Sequence, residues 1–203
     1  MQPRDENGMQ DFIGWRPEYD SQVSIIDHQH RGILGFINNW YREIKGRKVE
    51  WDNLGYYLLT KFEYLEGYSK AHLTAEEKML ELMARDHGFS ARELERHQGI
   101  HQRFIEEFMG HLADQVSTIS TDQNLALLES LASEGLKDVA RWWFSHIKTP
   151  TAKLPAGPDH IYREHLGQMA VEAKVALLNE MLLYFERSSV SNGSVPARVT
   201  GKA

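Results

Sequence analysis

Cysteine is absent from the 203 residues, and that removes disulfides, thiolate zinc sites, iron–sulfur clusters and thiol catalysis together. Proline is scarce, at six, so little in the chain interrupts helices. No run approaches the roughly 20 apolar residues needed to span a bilayer. Basic clusters are missing too, and with a formal net charge of −6 the chain lacks the surface that displaces counterions from phosphates, so neither nucleic acid nor an anionic membrane is expected as a partner. The opening residues MQPRDENGMQ have no apolar core of a secretory signal, and a cytoplasmic location is expected. Any metal site must be built from histidine and carboxylate, and ten histidines are available.

Apolar residues recur at helical spacing almost throughout, without the alternation that marks strands, which predicts an all-α fold. The pattern divides into helices over about Val23–Lys45, Trp51–Arg85 and Ala91–Val116, and a fourth that ends before Pro150. Gly88 is placed to end the second, Ser90 to cap the third, and Thr121 or Asp122 to cap the fourth. Short connections between long amphipathic helices imply an antiparallel up-down four-helix bundle. After the LPAGP break an additional long C-terminal helix is expected over about Asp159–Arg187. Its residues Ile161, Val171, Val175, Leu178, Leu182 and Phe185 form one apolar stripe, and Leu166, Met169, Ala173, Leu177, Met181 and Tyr184 another. Two apolar faces call for two partners: the bundle and either a second subunit or an output domain. The expected division is a bundle over 12–151, the additional helix over 158–188 and a flexible tail over 189–203.

Several histidines occupy positions where core residues belong. In the third helix Leu94, His97, His101, Phe104 and Phe108 follow steps of three and four; in the second, Phe62, Leu65, Ser69, His72, Glu76, Met79 and Met83 do the same. His30 falls in line with Ile26, Ile33 and Ile37, and His146 follows Val139 and Trp142. One such histidine alone reads best as a core residue bonded to a carbonyl. Five, spread over four helices with a carboxylate one turn from one of them, read differently, because each buried polar group without a partner costs roughly 1–3 kcal/mol. A shared metal satisfies them all. Imidazole and carboxylate suit iron, manganese, zinc or copper, and six protein ligands exceed what one tetrahedral zinc takes, so two ions sharing the carboxylate fit better. His28, His87, His111, His160 and His165 fall outside this pattern and read as surface or structural residues. The zinc-protease spacing HExxH does not occur, which argues against a hydrolase.

Four segments in series, Ile26-Asp27-His28-Gln29-His30, His72-Leu73-Thr74-Ala75-Glu76-Glu77, His97-Gln98-Gly99-Ile100-His101 and Trp143-Phe144-Ser145-His146-Ile147, resemble the motif series of the hemerythrins, in particular the bacteriohemerythrins, with Trp15 before the first helix as a further likeness. The resemblance covers about residues 12–151. It implies two iron ions with an oxo or hydroxo bridge, one held by His97, His101 and His146, the other by His30 and His72, with Glu76 bridging and dioxygen or a related oxidant binding at the iron with fewer histidines. Asp27 and Glu77 match motif positions that are not ligands; Asp27 either orients a neighbour or caps its helix. One departure stands out. Where the family has a second bridging aspartate, five residues after the last histidine, this chain has Thr151, and no Asp or Glu follows before Asp159. A site short of one bridge is more open and should oxidise readily, which favours sensing of dioxygen, redox state or nitric oxide over reversible carriage. Hemerythrin domains are found fused to signalling outputs such as diguanylate cyclases, so the resemblance makes this chain a non-enzymatic input module. The alternatives are a stand-alone oxygen carrier or store, and a diiron oxidase or peroxidase.

Overall fold

The computed structural model describes residues 12–21, 23–46, 53–121, 124–148 and 165–191, and among these it holds helices and no strand. In chain order they are α1 (Ser24–Lys45), α2 (Leu54–Asp86), α3 (Ala91–Gln102), a π-helical stretch (Arg103–Met109), α4 (Gly110–Thr121), α5 (Leu125–Ile147) and α6 (Val171–Ser191). The third rod of the bundle is the continuous run of α3, the π-helical stretch and α4. α1 packs on α2 and α5, α2 on the third rod, and the third rod on α5. With turns this short between neighbours, consecutive rods run antiparallel.

The helix ends follow local chemistry. α2 stops where Gly88 takes φ 72°, letting the Phe89 amide turn back to the Met83 carbonyl at 3.1 Å. Ser90 Oγ accepts from the Glu93 amide and so caps α3, as its position predicts. At α5 the cap is Asn124, whose side chain accepts from the Leu127 amide at 3.1 Å; Thr121, one of the two expected caps, is instead the last residue of α4, and the other, Asp122, lies outside the described residues. Three residues separate Thr121 from Leu125, and the last of them supplies an oxygen better placed for the first turn.

One half of the bundle is filled by Trp40, Leu54, Leu58, Phe62, Leu112, Val116, Leu128 and Leu136, all buried. The segment before α1 is tied across it: the Ile13 amide donates to Asn38 Oδ1 and Asn38 Nδ2 to the Ile13 carbonyl, both at 2.8 Å, while the Phe12 ring stacks on Tyr41. In the third rod the buried stripe departs from the expected spacing. Phe104 is buried, but the next fully buried residue is Met109, and Phe108 is half-buried. The π-helical turn accommodates one extra residue, so the stripe steps by five there before resuming at Leu112 and Val116.

The additional helix is shorter than its sequence pattern suggests. Residues 165–168 form a separate turn, the chain bends at Met169–Ala170, and α6 begins at Val171; residues 158–164 lie outside the described set. Gly167, a weak helix former, sits in that turn, and Leu166 leaves the helical line to pack with Phe89. α6 lies along α2, burying Leu177 and Met181 against Ala75, Met79, Leu80 and Met83. Of the other stripe, Leu178 and Phe185 pack partly against the same cluster, Phe185 edge-on to Tyr68, whereas Val171 (66%) and Val175 (52%) are exposed. α6 runs through Ser191, so helix extends past 189, where the tail was expected to begin.

Candidate metal centre

Each rod contributes to one buried polar layer: α1 supplies His30, α2 His72 and Glu76, α3 His97 and His101, α5 His146. None of the six side chains is more than slightly exposed, because each occupies an inward position of its helix. Their nitrogens and oxygens form two groups of potential metal ligands, Glu76 with His97, His101 and His146, and Glu76 with His30 and His72, with the atoms of each group within 4.8 Å of one another. Glu76 belongs to both. Its Oε2 lies 3.3 Å from His97 Nε2, 3.4 Å from His101 Nε2, 3.6 Å from His146 Nε2 and 4.0 Å from His72 Nε2.

The electrostatics follow from burial. Desolvation holds the His30 imidazole well below its ordinary range, with the neighbouring His72 adding to the effect, and lowers His72 from 6.5 to about 4. Burial also pushes the Glu76 carboxyl upward, but the imidazoles of His101, His146 and His97 outweigh it and keep that group well below the usual carboxylate range. Burial thus holds His30 and His72 neutral and their neighbours hold Glu76 ionised, the protonation state that metal ligands require.

Hydrogen bonds within the protein leave this layer unsatisfied. Glu76 Oε1, His72 Nε2 and His101 Nε2 are buried with no hydrogen-bond partner. All three are lone-pair atoms of good ligand groups facing the same interior, and a bound cation completes them at once. The residues fit a metal.

Outer partners orient the rings. His72 Nδ1 is 2.8 Å from Gln29 Oε1, and His101 Nδ1 is 2.7 Å from Glu77 Oε1. Since both oxygens accept, the ring protons sit on Nδ1 and leave Nε2 free as a ligand. The Tyr68 hydroxyl donates to the Gln29 carbonyl at 3.1 Å, and Gly32 makes room for it, since a Cβ there would stand 2.5 Å from that oxygen. Gln29 was not distinguished in the sequence; its signal, an amide one residue before a ligand, is too common to stand out. Trp142 stacks on His146 with ring centroids 4.5 Å apart, and on Phe104 at 3.7 Å, while Trp143 is the fully buried one of the pair and packs against His30, His72 and His146.

Asp27, the residue with two candidate roles, accepts from the Ser21 amide at 2.8 Å and ties down the segment entering α1; burial raises its pKa, partly offset by that bond. His28, His87 and His111 are exposed, and His165 is half-buried with Nε2 donating to the His87 carbonyl at 2.7 Å. His160, Thr151, Asp159 and Glu164 lie outside the described residues.

The family model of the hemerythrin HHE cation-binding domain matches residues 21–154, more than half of the chain. The chain belongs to the hemerythrin family. All six residues of the buried layer fall inside the matched range, and α6 falls outside it. Neither a curated protein nor a solved structure matches this hemerythrin-family chain. With its His/Glu layer, the domain is a metal-binding one of hemerythrin type, and no helix among the described residues is long and apolar enough to cross a membrane.

Proposed function

We propose that the chain is a non-heme diiron protein that binds and senses dioxygen or a related oxidant such as nitric oxide, with His30, His72, Glu76, His97, His101 and His146 as its ligands. The observation that carries this reading is Glu76, a buried carboxylate common to two groups of ligand atoms, with one oxygen among imidazole nitrogens and the other lacking a partner. Bound iron would supply the electrons for dioxygen reduction; the protein supplies imidazole nitrogens, one shared negative charge and an aromatic wall that limits water. A set with five histidines and one carboxylate favours binding over turnover, so no enzymatic role is assigned to the domain.

Sensing rather than carriage is favoured by Thr151 standing where the family's second bridging aspartate is found. A further support is α6, which packs on the residues flanking Glu76 in α2, notably Ala75, Met79 and Leu80. A small shift of α2 on oxidation therefore reaches α6, and through its exposed Val171 and Val175 a second subunit or an output domain. The test is an anaerobic preparation with iron quantified per chain, followed spectroscopically as air is admitted. About two irons with an oxygenated spectrum that decays within minutes to the ferric one supports sensing. A spectrum that persists and disappears on degassing supports a carrier, and a chain that takes up no iron overturns the reading.

A further inference from the structure

His72 and His101 differ in one respect that the ligand count does not capture. His101 rests on a carboxylate, Glu77, and His72 on a neutral amide, Gln29. The surroundings account for the choice. Gln29 is 2% exposed, a position where an ionised group would be expensive, whereas Glu77 is half-buried and lines a surface cleft of about 340 Å³ between α2 and the third rod, lined also by Lys70, Thr74, Gln98 and Gln102. A charge open to water on one side carries little desolvation penalty. Both partners hold their ring in the same tautomer, but the charged one also makes the imidazole a stronger donor to a cation.

We propose that Glu77 and Gln29 are positioning residues that make the two halves of the centre unequal, with Glu77 strengthening metal retention by the His97, His101 and His146 half and leaving the His30 and His72 half as the one that loses its ion first. This rests on the diiron reading. It adds that the weaker half owes part of its weakness to Gln29, and that the stronger half depends on a residue reachable from solvent.

The test is anaerobic titration of the metal-free chain with cobalt(II), followed by visible absorption. The expected wild-type result is uptake in two steps, the weaker abolished by His30→Ala. Glu77→Gln keeps an acceptor for His101 but removes the charge, and is expected to weaken the tighter step about 10-fold and leave the weaker one within about 2-fold, outer partners of metal ligands being worth roughly 10–100-fold. Gln29→Ala should weaken the second step alone. Because a merely structural role would shift both steps together and lower the melting temperature of the metal-free protein, equal effects on both steps overturn the inference, as does an unchanged tighter step in Glu77→Gln. A wild-type chain that binds no metal overturns the diiron reading itself, and one that binds a single ion overturns the two-ion part of it.

Discussion

The same helices build two unlike layers. Around Phe62, Leu58, Leu112 and Leu136 the bundle is closed by apolar side chains that need nothing beyond each other. Trp40 Nε1 lacks an acceptor there, but an indole N–H is a single neutral donor. Around Glu76 the positions are equally inward and equally buried, yet the atoms left without partners include, beside Gln29 Nε2, Ser69 Oγ and Trp143 Nε1, those of a carboxylate and two imidazoles. At roughly 1–3 kcal/mol for each unsatisfied group, the polar layer opposes folding unless a cation completes it, while the apolar layer drives folding on its own. Stability and function are thus divided along the bundle axis, and the two can be changed separately.

The largest separation is expected from Glu76→Ala. It removes the carboxylate common to both ligand groups, so metal analysis should show binding weakened by more than about 100-fold, beyond what loss of an outer partner does, with the helical circular dichroism kept. Phe62→Ala attacks the other layer: denaturant unfolding should show a loss of about 3–5 kcal/mol, with metal per folded chain unchanged. If Phe62→Ala emptied the metal layer as well, the division would not hold.

Acid sharpens the same contrast. His72 stays neutral in the fold down to about 4 while an unfolded histidine takes its proton near 6.5. The unfolded state therefore binds more protons between those values, and stability, whole above about 6.5, is lost as the pH falls to about 4. For this residue alone the loss is roughly 3 kcal/mol, at about 1.4 kcal/mol per pKa unit. Denaturant unfolding of the metal-free protein at pH 7 and pH 4.5 checks it, and His72→Leu should flatten the dependence. Smallest of all is Asn124→Ala at the α5 cap, expected to lower stability by about 1 kcal/mol equally with and without metal.

Much of this was readable in the sequence. On α2 every residue of the stripe from Phe62 through Ser69, His72 and Glu76 to Met83 is buried, because a long helix without proline or a register change carries a three-four pattern faithfully. His30 and His146 were found by the same rule. The rule failed where the helix itself changed pitch, at Phe108 and Met109, and where a turn replaced helix at Met169–Ala170, since neither departure leaves a periodic trace. On α5 it chose Trp142, whereas Trp143 is the fully buried one. A pair of adjacent tryptophans satisfies the stripe about equally well, and only packing against Phe104 and the histidines separates them.

The sequence by itself determined the helical class, the inward placement of five histidines and one glutamate, and the absence of thiol and disulfide chemistry, because these depend on residue type and on spacing along one helix. The tertiary structure alone decided how close the ligand atoms lie to Glu76, that a charge supports His101 and an amide supports His72, and which residues of α6 are buried against α2. Those are relations between helices, set by rotation and separation in the packed bundle, and periodicity along a single chain carries no information about either.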